Sequence, residues 1–140
     1  MAQDLKVRGL CWGPHPARRI IEEISFDVSA GSTTVIVGGN GAGKSTLLRS
    51  IYRQNRPVEG QVLVGGRDIW QMPAREVSRM IAVVLQEVAP DFAFTVREVV
   101  AMGRIPYRDS LFSRSTTDET ITQQALADFK LADFAHRPFS

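Results

Sequence analysis

A chain of 140 residues, 44% apolar and 23% charged, holds enough material for one domain with a hydrophobic core. Its net charge of +2 gives no electrostatic basis for gripping nucleic acid or an anionic membrane, and its single cysteine, Cys11, excludes an internal disulfide. The opening "MAQDLKVRG" lacks the apolar centre of a secretion signal, and no apolar run nears the roughly 20 residues of a membrane-spanning helix, so a soluble chain in a reducing, cytoplasmic compartment is expected.

Residues Leu5–Leu10 and Ile24–Val28 alternate in polarity and predict two half-buried strands. Ala30–Ser32 reads as a turn, and Thr33–Val37 ("TTVIV") as a continuous apolar strand, a pattern that suits burial on both faces in a parallel sheet. A helix is expected from about Lys44 to Gln54, with Pro57 beyond its end. "QVLVGGRDIW" predicts a hairpin turning at Gly65-Gly66, and Pro73 opens a short helix over Ala74–Arg79. "MIAVVLQ" is a second apolar strand. Thr95-Val96-Arg97-Glu98 has the capping-box pattern and starts a helix to about Gly103. Thr116-Thr117-Asp118-Glu119 repeats the pattern and starts another, with Ile121, Ala125 and Phe129 on one face. Strands first, then helix alternating with strand, predicts an α/β fold with an antiparallel β subdomain.

The informative stretch is "VIVGGNGAGKSTLLRSI", Val35–Ile51. Gly38-Gly39-Asn40-Gly41-Ala42-Gly43-Lys44-Ser45 satisfies G-x-x-x-x-G-K-[ST] at every required position, between an apolar strand and a helix. Glycines let successive backbone N–H groups turn inward as an anion-binding nest, and the helix that follows presents its positive end to the same place. Lys44 would reach the β- and γ-phosphates of a nucleotide triphosphate, the Ser45 hydroxyl would coordinate Mg²⁺ as a hard oxygen ligand, and Thr46 stands where an α-phosphate contact is possible. The motif alone does not choose among kinases, GTPases and ATPases.

"GGNGAGKSTLLR" resembles the Walker A segment of ATP-binding cassette (ABC) ATPases, with Gly39 where that family usually has proline. "VVLQE" at Val83–Glu87 resembles the family's Q-loop, with Gln86 standing 42 residues after Lys44. The resemblance implies that Gln86 coordinates Mg²⁺ through its amide oxygen, senses the γ-phosphate and touches a membrane partner. It also implies that Trp12, after the first strand, stacks on adenine, a core tryptophan being the other reading of this residue. Cys11 reads as a small buried filler, His15 as a solvated loop histidine, and Arg18 and Arg19 as a solvated face. "TVREVVAMGRIPYRDSLF" (Thr95–Phe112), with Gly103-Arg104-Ile105-Pro106-Tyr107, looks like the same region of importers of iron–siderophore, haem and cobalamin. Phe92, Phe94, Leu111 and Phe112 would suit a partner's short cytoplasmic helix or a satellite core beneath a loop.

The resemblance thus implies residues 1–140 as the N-terminal part of one ABC ATPase domain with a P-loop core, carrying A-loop, Walker A, Q-loop and the start of the helical subdomain, its C-terminal part missing. It implies ATP and Mg²⁺ as cofactors. Transmembrane permease subunits and a second ATP-binding subunit follow as partners, with a cytoplasmic place on the inner face of the membrane and no nucleic acid. No LSGGQ-type signature, no apolar run ending in Asp-Glu and no switch histidine occurs, His136 lying in "AHRPFS" without that context. Phosphoryl transfer depends on placed charge, so this piece is expected to bind ATP without hydrolysing it, and Thr33–Val37 to lack strands beside it. A soluble ABC ATPase of DNA repair or translation, and a non-catalytic nucleotide-binding fragment, remain the other classes; Arg49, Arg53 and Arg56 along the first helix read as solvated rather than as a nucleic-acid stripe.

Overall fold

The alternating segments at the start of the chain become a sheet. In a computed structural model, which describes residues 3–15, 18–85, 94–108 and 115–139, four strands pair in antiparallel fashion: β1 (Leu5–Trp12), β2 (Ile21–Val28), β3 (Glu59–Val64) and β4 (Arg67–Asp68), in the order β2-β1-β3-β4. The chain divides into two compact units, Met1–Val83 and Val84–Ser140.

In the first unit β1 is central, with Val7 opposite Phe26 on β2 and Val62 on β3. One face of the sheet buries Val7, Leu10, Val62 and Val64, and Ile21, Ile69, Met72, Val77 and Leu47 complete the cluster. Burying each such side chain contributes about 1.5–3 kcal/mol. Leu47 belongs to helix α1 (Lys44–Ile51) and Val77 to the short α2 (Ala74–Val77). Leu47 and Ile51, one turn apart, pin α1 to the sheet's core. The β3–β4 hairpin turns at Gly65 and Gly66, both at positive φ (57° and 78°), as the two-residue turn demands. Helix α1 stops at Ile51, short of Gln54, because the chain enters a left-handed conformation at Arg53 (φ 67°), whose Nη1 donates to the Met72 carbonyl. Helix α2 ends two residues before Arg79.

The two continuously apolar runs differ from expectation. Among the described residues neither 33–37 nor 81–85 joins a ladder, and Val35, Val37, Val84 and Leu85 are exposed, Val84 at 99%. A strand is a property of a pair, and no described segment lies alongside either run to accept and donate its backbone hydrogen bonds.

In the second unit, helix α3 (Val96–Met102) begins as predicted: the Thr95 hydroxyl accepts from the Glu98 N–H while the Glu98 carboxylate accepts from the Thr95 N–H, a complete capping box. A 3-10 turn (Ile105–Tyr107) follows, then α4 (Thr116–Asp128) and a second 3-10 turn (Ala132–Phe134). The chain's last described residues run beside the start of α3, with Phe139 N donating to the Phe94 carbonyl at 2.8 Å. Helix α4 departs from expectation twice. Its N-cap is Ser115, whose hydroxyl accepts from the Asp118 N–H, so Asp118 occupies the capping-box partner position. Its inward positions are Asp118, Thr122 and Leu126, while Ile121 and Phe129 are exposed. The reason is charge: Asp118 accepts from Arg104 Nε at 2.9 Å and Arg108 Nε at 3.1 Å, which turns the 118–122–126 face inward. No helix among the described residues is long and apolar enough to cross a membrane.

Candidate functional site

The glycine-rich segment leads directly into α1. Gly43 is the N-cap residue, at φ 85°, and Gly41 sits at φ 81°, both in the left-handed region. Gly43 is required on a second count, because a Cβ there would lie 3.2 Å from the Ile20 carbonyl oxygen and 3.4 Å from Ile20 Cγ2. No side chain caps the N-terminus of α1 and its first turn has no acidic residue. The first N–H groups of a helix have no intrahelical acceptor, so an uncapped end with no carboxylate nearby is electrostatically prepared for an anion.

Lys44, the first residue of α1, folds back over the loop. Its Nζ donates to the Gly38 carbonyl and to the Gly39 carbonyl, each at 2.8 Å, and the Gly39 carbonyl also accepts from Ala42 N at 3.3 Å. The ammonium is thereby held over the loop, where Gly38, Gly39, Asn40, Gly41, Ala42 and Ser45 are exposed and Thr46 is half-buried. Ser50, wholly buried, donates to the Thr46 carbonyl at 3.2 Å, and Leu47 holds the same helix to the core, so the donor groups sit on a fixed support.

Trp12, at the end of β1, is half-buried and packs on the core cluster. Its carbonyl accepts from Ile20 N at 2.8 Å. Ile20 therefore stands between Trp12 and Gly43, 41% exposed, a residue the sequence patterns did not single out. Its signal is faint, one aliphatic residue after two arginines. Gln86, expected beside Lys44 and Ser45, lies outside the described residues, as do Phe92, Leu111 and Phe112.

The other residues weighed from sequence find structural roles. Cys11 is fully buried, its sulfur facing the Glu23 N–H at 3.2 Å and Arg19 Nη1 at 3.4 Å. Arg19 pairs with Glu59 at 2.5 Å, and Glu59, through hydrogen bonding and then charge, raises the Arg19 pKa further. His15 and Arg18 are exposed and bridge to each other's backbone across the β1–β2 connection. Arg53 is not merely solvated: its guanidinium lies 5.3 Å from the centre of the Trp70 ring. A cavity of about 350 Å³ lined by Tyr52, Arg53, Trp70, Val77, Ser78 and Ile81 lies beside this pair, and Trp70 Nε1 is buried without a partner. Among the described residues no group of His, Cys, Asp and Glu is arranged to hold a metal ion by itself.

Residues 21–140 match the model of the ABC transporter family. The chain is 41% identical over 118 residues to the probable siderophore transport system ATP-binding protein YusV of Bacillus subtilis, covering 84% of this chain and 43% of that protein. It is 37% identical over 139 residues to the hemin import ATP-binding protein HmuV of Nocardia farcinica, covering 96% of this chain and 48% of that one. The solved structure of a bacterial Atm1-family ABC exporter with ATP bound superposes with a TM-score of 0.69 at 31% identity, covering 98% of this chain and 24% of the exporter chain. The chain spans under half the length of these relatives.

Proposed function

The chain belongs to the ABC transporter family, and we propose that it forms the nucleotide-binding part of the ATP-binding subunit of an importer for an iron chelate, haem or cobalamin. The observation that carries this is the loop itself: an uncapped helix end at Gly43, with Lys44 Nζ held 2.8 Å from two loop carbonyls. The donor set is amide, ammonium and hydroxyl with no carboxylate in the first turn, which fits a polyphosphate. The cassette fold also serves an exporter, so import rests on the relatives named for siderophore transport and hemin import and on the Gly103–Tyr107 element.

In this reading the amides of Gly38–Ser45 cradle the phosphates, Lys44 neutralises their developing charge, and Thr46 adds a contact at the α-phosphate. Trp12 supplies a stacking face for the base. Ser45 and Gln86 offer hard oxygens to Mg²⁺, which ordinarily takes its remaining ligands from phosphate and water. Bound ATP supplies the scissile phosphoanhydride. Turnover in the whole protein needs a carboxylate to polarise water, and no apolar run of these 140 residues ends in Asp-Glu, so the chain itself binds without hydrolysing. Partners are permease subunits and a second ATP-binding subunit, which places the protein at the cytoplasmic face of the membrane. Arg53 lies past the end of α1 and engages Trp70 and Met72, so Arg49, Arg53 and Arg56 do not form the basic stripe along one helix that a nucleic-acid-handling ATPase would use.

Titration with Mg·ATP tests the reading. The folded protein is expected to bind, and Lys44→Ala to weaken binding about ten- to a hundredfold, the worth of one charge-assisted contact. Absence of binding, or a Lys44→Ala protein that binds as well as wild type, overturns it. Co-purification with a permease tests the partner.

A further inference from the structure

The glycines of the loop are not equivalent. Gly41 and Gly43 hold left-handed backbone, and Gly43 is closed in by Ile20. A Cβ on Gly38 would touch Ala42 Cβ at 3.4 Å. At Gly39 a Cβ would meet nothing within 4 Å, and the residue's φ lies outside the left-handed region. Nothing in this conformation requires glycine there. Yet the Gly39 carbonyl carries two hydrogen bonds that shape the site, from Lys44 Nζ at 2.8 Å and Ala42 N at 3.3 Å. The most conformationally free residue type therefore stands where the lysine and the loop are joined, at a position where a side chain would fit.

We propose that Gly39 is a positioning residue whose backbone freedom weakens nucleotide binding, so that adding a side chain at this position tightens it. Rotation about the Gly39 backbone swings the carbonyl that anchors Lys44, so the unliganded loop samples arrangements in which ammonium and amides do not converge. Ordering them costs conformational entropy at the moment of binding. A Cβ removes part of the competing range without touching a neighbour, and it keeps the N–H and the carbonyl. The opposite holds at Gly43, where a Cβ strains the backbone and presses on Ile20.

This inference rests on the proposed nucleotide site, and one set of titrations separates the two. Mg·ATP is titrated into the wild-type protein and into Gly39→Ala, Gly39→Ser and Gly43→Ala, with thermal melting of each without nucleotide. The expected result is an affinity about two- to fivefold tighter for Gly39→Ala, a gain of the same sign for Gly39→Ser, which carries the same Cβ, and weaker binding for Gly43→Ala. Dissociation constants compare two folded states, so a merely structural effect would move the melting temperature and leave affinity alone. Wild-type binding with unchanged or weaker affinity in both Gly39 variants overturns the inference and leaves the site standing. No wild-type binding overturns the site itself.

Discussion

Among the described residues, Met1–Val83 buries ten apolar side chains, and its ion pairs Arg8–Asp27, Arg19–Glu59 and Arg67–Glu76 lie on the surface. Among its described residues Val84–Ser140 buries only Leu126 and Ala135 as apolar side chains, and its best-shielded ion pairs set the Asp118 carboxylate between Arg104 and Arg108. Phe129, Tyr107, Phe134 and Ile121 in that second unit remain exposed. The contrast follows from the elements available. A four-stranded sheet with a helix against it encloses a layer of side chains, whereas two short helices joined by 3-10 turns have too little surface to do so. The second unit instead draws its helices together through Asp118 with two guanidiniums and through Arg97 with Glu119. The phosphate loop grows from the unit with the apolar core, which is what a site built from backbone amides needs, since its donors are only as fixed as the helix behind them.

The strongest way to break this contrast is at the sheet. Leu10→Ala removes a fully buried side chain and is expected to destabilise the first unit by about 2–5 kcal/mol, with little dependence on salt. Denaturant unfolding followed by amide exchange in β1 and β3 measures it. A loss that varied strongly with salt would contradict an apolar basis for this unit.

Asp118 is the next lever. The hydrogen bond from Arg104, helped by that from Arg108, holds its carboxyl below the usual carboxylate range against the opposing effect of burial. A carboxylate depressed in the folded state stabilises above its unfolded pKa, and that stabilisation is lost as pH falls through the lowered folded value. Exchange protection of α3 and α4 amides is therefore expected to fall in acid, below the ordinary aspartate range. In Asp118→Asn protection should be lower at neutral pH, and this acid step should vanish. The smallest effect belongs to Phe129, 78% exposed: Phe129→Ser should change the stability of the isolated chain by no more than about 0.5 kcal/mol, read by the same exchange measurement. A large loss there would mean that Phe129 takes part in the apolar packing of the second unit.

Local signals account for what was legible. The start of α1 at Lys44, the Gly65-Gly66 hairpin and the Thr95–Glu98 capping box each depend on contacts within a few residues, and all three have the geometry their sequence predicts. Apolar spacing alone groups Ile121, Ala125 and Phe129 on one face of α4 and does not reveal Arg104 and Arg108 arriving from another element to meet Asp118. Ile20 leaves no pattern in the sequence because its position beside Gly43 comes from the path of the chain between β1 and β2.

By itself the sequence determined the glycine-rich loop, the helix behind it and the alternating strands, since each is set by steric limits and hydrogen bonds over a short span of chain. The tertiary structure alone decided that residues 81–85 stand without a ladder among the described residues, that an aspartate faces inward on α4, and that Lys44 rests on the carbonyls of Gly38 and Gly39. Each of those outcomes depends on which groups meet in space, through strand partners, opposing charges and the fold-back of a long side chain, and no pattern of neighbours along the chain specifies such meetings.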